Sequence, residues 1–62
     1  MFKCEIRTGG AAYRDLEDDT KLDIHEIRRN LNEIIAKLEC GNRNGSIIDI
    51  NGNKVGQWSV DD

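Results

Sequence analysis

Asp49-Ile50-Asn51-Gly52-Asn53-Lys54-Val55-Gly56-Gln57-Trp58 is the stretch that decides the fold. Its Asn-Gly step is the strongest short-range hairpin signal, and it stands between two apolar runs, the second carrying the only tryptophan. The residues predict a strand from Ser46 to Ile50, a turn starting at Asn51-Gly52 and a return strand from Lys54 to Val60. A flat hairpin does not satisfy them. Val55 has the opposite parity from Trp58 and Val60, and Ile47 from Ile50, yet all are core candidates. A β-bulge at Gly56 reconciles them, because glycine accepts the backbone conformation a bulge requires.

Upstream the period changes. Ile24, Ile27, Leu31, Ile34, Ile35 and Leu38 recur at helical spacing, and Gly41 suits the position just past a helix end. These residues predict one helix from Lys21 to Cys40 with the apolar stripe on the core. Thr20 is the expected N-cap, with Asp23 three residues on. Arg29, Glu33 and Lys37 then line a solvated outer face at i, i+4 spacing.

At the start of the chain Phe2, Cys4 and Ile6 alternate with Lys3, Glu5 and Arg7, the signature of a strand with one buried face. Thr8-Gly9-Gly10 interrupts it. Ala11-Ala12-Tyr13 either continues the strand past a bulge or forms a very short strand of its own, and the residues do not decide between them. The expected architecture is a single α+β domain over residues 1–62. Its order is β-α-β-β, with one amphipathic helix packed on a small antiparallel sheet.

Composition narrows the function. Sixty-two residues bury only about 60% of the surface of the unfolded chain. So small a core favours homo-oligomerisation, all the more because the helical stripe is wide for one thin sheet to cover. A net charge of −3 disfavours a nonspecific nucleic-acid binder. No apolar run reaches membrane-spanning length. Lys3, Glu5 and Arg7 stand where a secretion signal needs its apolar segment, which points to the cytoplasm, and Cys4 and Cys40 read as half-buried free thiols.

Asp49, Asn51 and Asn53 imitate the opening of a calcium-binding loop, but Lys54 stands where its glycine belongs and Val60 where its bidentate glutamate belongs. Thr8-Gly9-Gly10-Ala11 lacks the remainder of a phosphate loop. His25 is tied to no nucleophile and reads as an edge or exposed side chain. No catalytic residue, metal site or cofactor is expected, and the chain reads as a non-enzyme. Asp15, Glu17, Asp18, Asp19 and Asp23 crowd the start of the helix, where they complement its dipole. The functional reading of these acids is a partner-binding surface that imitates nucleic-acid phosphates. The opposing reading, a small nucleic-acid-associated regulator, uses Arg28, Arg29 and Lys37, diluted by Glu26, Glu33 and Glu39.

Two segments, Lys3-Cys4-Glu5-Ile6-Arg7-Thr8-Gly9-Gly10-Ala11-Ala12-Tyr13 and Asp49-Ile50-Asn51-Gly52-Asn53-Lys54-Val55-Gly56, carry a resemblance. Around an amphipathic helix, they resemble short proteins encoded in bacteriophage and prophage genomes. That resemblance implies an accessory protein working inside the host cell without enzymatic activity. Its partner would be a host or phage protein, including defence nucleases of the host.

Overall fold

The computed structural model describes residues 1–14 and 22–61. Strand β1 (Phe2–Ile6) is followed by a 3-10 turn at Ala11–Tyr13, helix α1 (Ile24–Glu39) and the strands β2 (Asn44–Ile48) and β3 (Lys54–Val60). The sheet is antiparallel in the order β1-β3-β2, so the last strand is central. One helix on a three-stranded antiparallel sheet makes the fold α+β.

Register sorts the side chains. Phe2, Cys4 and Ile6 stand opposite Val60, Trp58 and Gly56, while Gly45 and Ile47 stand opposite Trp58 and Gly56 from the other side. Directly opposed residues share a face, so these eight form the inner surface. Lys3, Glu5, Gln57, Ser59, Asn44 and Ser46 form the polar outer one. Between Ile47 and Ile48 the pairing jumps from Gly56 to Lys54, leaving Val55 as the extra residue of a bulge. The bulge lets both Val55 and Trp58 be buried, which removes one parity conflict read from the sequence; in the other, Ile47 is buried but Ile50 lies in the turn, 71% exposed, and is not a core residue.

Gly56 has a second role. A Cβ there would lie 1.8 Å from the Glu5 carbonyl oxygen, so β1 can approach β3 only because the side chain is missing. Gly45 does the same for the indole: a Cβ would lie 2.7 Å from Trp58 Nε1. The core is Tyr13, Ile34, Ile47, Val55 and Trp58, with Cys4, Ile6, Ala12, Ile27 and Val60 packed around it. Phe2 touches its margin, its ring centroid 6.4 Å from that of Trp58.

Several expectations change. Ala11–Tyr13 is a 3-10 turn and not a strand, with the Tyr13 N–H donating to Gly10 O at 3.1 Å and the Arg14 N–H to Ala11 O at 3.2 Å. Tyr13 O in turn accepts from Asp23 N at 2.7 Å, tying the turn to the start of α1. The helix begins at Ile24 because Asp23 is its N-cap, with Oδ1 accepting from His25 N at 2.9 Å. Thr20, the expected cap, lies outside the described residues. At the far end Gly41 adopts φ 92° and donates to Leu38 O at 3.0 Å, and Asn42 donates to Lys37 O at 3.0 Å, as the sequence suggested for a glycine-terminated helix. β2 starts and ends two residues earlier than expected, because Asp49 belongs to the turn. Both cysteines are free, but Cys40 is exposed and only Cys4 is half-buried.

Candidate functional site

The largest difference from the sequence reading is the roll of α1. The helix lies against β2 and the 3-10 turn, and the side chains it buries are Glu26, Asn30 and Ile34. Two of these three are polar. They stand one turn apart on one flank, and each meets the β2–β3 connection.

Glu26 is 5% exposed and accepts three hydrogen bonds. Arg29 grips it with a two-pronged contact, Nε to Oε1 at 2.7 Å and Nη2 to Oε2 at 3.0 Å. The Ile50 N–H donates to Oε2 at 2.7 Å from across the domain. The Arg29 guanidinium also donates to Ile48 O at 3.0 Å and to Glu33 Oε1 at 2.7 Å. Asn30, 1% exposed, accepts from the Tyr13 hydroxyl at 2.6 Å and donates to Ile48 O at 3.3 Å. Helix, 3-10 turn and hairpin are therefore joined by one polar bracket. The expectation that Arg29 and Glu33 form a purely solvated outer pair is corrected accordingly.

The hairpin turn supports the bracket with its own acid. Asp49 is 6% exposed, and its Oδ1 accepts from the Asn51 and Asn53 N–H groups at 2.9 Å each. This side-chain-to-backbone turn is what the calcium-like spacing encodes. Gly52 completes it at φ 85°.

The electrostatics follow from these contacts. The Arg29 hydrogen bonds hold the Glu26 carboxyl below the usual range; the Ile50 N–H adds to the effect, and burial opposes it. Glu26 in turn holds Arg29 more firmly protonated. Burial pushes the Tyr13 phenol up, reinforced by the negative charges of Glu26 and Asp49. Tyr13, Glu26 and Asn30 each hold one element against another, and Asp49 fixes the hairpin turn.

The acids named in the sequence fall differently. Asp15, Glu17, Asp18 and Asp19 lie outside the described residues, and Asp23 is the helix cap. The basic residues do not gather into one strip. At 3.6 residues per turn Arg28 and Lys37 lie about 180° apart around α1, and Arg29 is held in the bracket. His25 is exposed. Among the described residues no three acidic, cysteine or histidine side chains gather as a metal site, and no helix is long and apolar enough to cross a membrane.

Rolling the polar flank inward turns part of the apolar stripe outward. Ile24, Leu31, Ile35 and Leu38 are 71, 44, 51 and 38% exposed, and only Ile27 and Ile34 of the expected stripe join the core. Sequence reasoning missed the bracket residues Tyr13, Glu26 and Asn30. The available signal was the i, i+4 run Glu26-Asn30-Ile34 beside Ile27, which marks a second buried flank with polar members. Comparison of the chain with protein-family models, with curated proteins and with solved structures gives no match.

Proposed function

We propose that the protein is a non-enzymatic accessory protein of the phage type, working in the host cytoplasm by binding a host protein. An anti-defence inhibitor is the form of this role that fits its acidity. Asp15, Glu17, Asp18, Asp19 and Asp23 are the contact residues of this reading. The observation that carries it is the use made of the buried polar groups: Tyr13, Glu26, Asn30 and Asp49 all serve the internal bracket. These four groups hold helix, 3-10 turn and hairpin together in one small body, which suits a module that acts by presenting a surface. The net charge of −3 suits a basic partner groove, where complementary charge speeds encounter.

The test is capture from a bacterial lysate by the wild-type protein and by a variant carrying Asp15→Asn, Glu17→Gln, Asp18→Asn and Asp19→Asn. Asp23 stays intact because it caps α1. The expected result is one stoichiometric protein retained by the wild type, eluted by salt and lost by the variant. Equal capture by both, or capture of nothing, overturns the reading.

A further inference from the structure

We infer that the outward stripe of α1 is a self-association surface, on which a second copy of this chain packs its own α1 antiparallel. Ile24, Leu31, Ile35 and Leu38 fall within about 60° of one another around the helix axis, forming a straight seam at alternating spacings of seven, four and three. The seam lies on the flank away from the Glu26–Arg29 contacts to the hairpin, so the polar bracket stays intact when it is covered. It is also centred on Leu31. With Leu31 at a two-fold axis, Ile24 meets the partner's Leu38, and the patch is complementary to itself, as an isologous dimer requires.

Charge selects the orientation. Arg28 borders the seam and is exposed, and Glu39 borders it on the same side near the other end of the helix. A parallel pair puts Arg28 and the partner's Arg28 on opposite sides of the seam, so neither Arg28 nor Glu39 meets an opposite charge across it. An antiparallel pair carries Arg28 toward the partner's Glu39. Side chains on a helix lean toward its N-terminus, so in the antiparallel pair these two lean toward each other. The second copy is therefore favoured over a generic apolar occupant by both symmetry and charge. A helix of 16 residues is about 24 Å long and about 10 Å wide, a footprint of roughly 240 Å² against about 800 Å² per partner in a standard interface. The dimer is accordingly weak and reversible. The inference does not rest on the acidic contact residues proposed above, and its test needs no host partner.

Sedimentation equilibrium of the wild-type chain from about 10 to 1,000 µM is expected to show a monomer–dimer exchange in this range. Leu31→Glu, at an exposed position, is expected to weaken it at least about tenfold while helical circular dichroism is retained. Arg28→Glu weakens it as well, and Arg28→Glu with Glu39→Arg restores it. In a Cys40→Ser background, a mixture of Ile24→Cys and Leu38→Cys chains is expected to form a disulfide under mild oxidation, whereas Ile24→Cys alone does not. A monomer throughout the concentration range, a double charge exchange no better than the single one, or self-linking of Ile24→Cys alone overturns the inference.

Discussion

Replacing Glu26 by Gln tests whether the polar bracket or the apolar stripe holds α1 in place. Wild-type Glu26 offers acceptors only, and it meets donors only: two from Arg29 and one from the Ile50 N–H. The amide of the variant turns one acceptor into an N–H₂ group that faces one of those donors. At least one charge-assisted bond of about 1.5–3 kcal/mol is lost at a nearly sealed site. Arg29 is 37% exposed and keeps Glu33 and Ile48 O, so water and these partners soften the change. The expected loss is about 2 kcal/mol, from a total of about 3–9 kcal/mol for a chain this long. It corresponds to a fall in Tm of about 8–16 °C. Urea unfolding followed by the fluorescence of Trp58, 2% exposed, reads it directly. Glu33→Gln is the control, because its ion pair is at the surface (Glu33 is 53% exposed) and its removal costs less than about 0.5 kcal/mol. The pH dependence has a fixed sign. The Glu26 carboxyl is held below its unfolded value, so its contribution is complete above the usual glutamate range and is lost as pH falls through the depressed one. The gap between wild type and Glu26→Gln should therefore be constant near neutrality and close in acid. Equal effects of the two substitutions, or a gap that survives undiminished in strong acid, would refute the bracket as the main tether.

Two further outcomes follow from close contacts. Gly56→Ala drives a methyl group into the Glu5 carbonyl at 1.8 Å, and backbone cannot yield as a side chain does, so about 3 kcal/mol or more is lost. Thermal unfolding checks it, and a Tm within about 2 °C of wild type would show that β1 does not approach as described. Tyr13→Phe leaves Asn30 Oδ1 without its 2.6 Å donor in a site 1% exposed, a loss of about 1–3 kcal/mol in urea titration. The phenol is raised by burial, so the wild type keeps this contribution below the ordinary tyrosine range and loses it as pH climbs through the raised value. Tyr13→Phe should abolish that alkaline loss, and an unchanged alkaline midpoint would count against it.

How much of this was legible depended on how local the governing interaction is. The hairpin, the bulge and the glycine stop at Gly41 follow from turn chemistry and parity among neighbours, and the sequence carries them openly. The ends of α1 and β2 were displaced by two acids. Asp23 captures His25 N and Asp49 captures the turn amides, so α1 starts later and β2 ends earlier than periodicity suggests. The roll of α1 was not legible. Periodicity reports the widest apolar arc, but the face actually buried is chosen by a carboxylate that reaches the Ile50 N–H, 24 residues away. No local pattern announces that partner. Of the candidate binding acids, only Asp23 lies among the described residues, and it has a structural task there.

The order β1-β3-β2 has a consequence for synthesis. The strand that both others need is the last of the three to leave the ribosome, and Phe2 must wait for Val60. Until residues 54–60 have emerged, β1 has no partner and Gly45 has no indole to shelter. α1, whose bonds are local, can form in the meantime, and as a lone helix of 16 residues it is marginal. Folding of this domain is therefore a single late event, set off by the arrival of one strand. Until that moment the nascent segment exposes apolar side chains that a chaperone can hold.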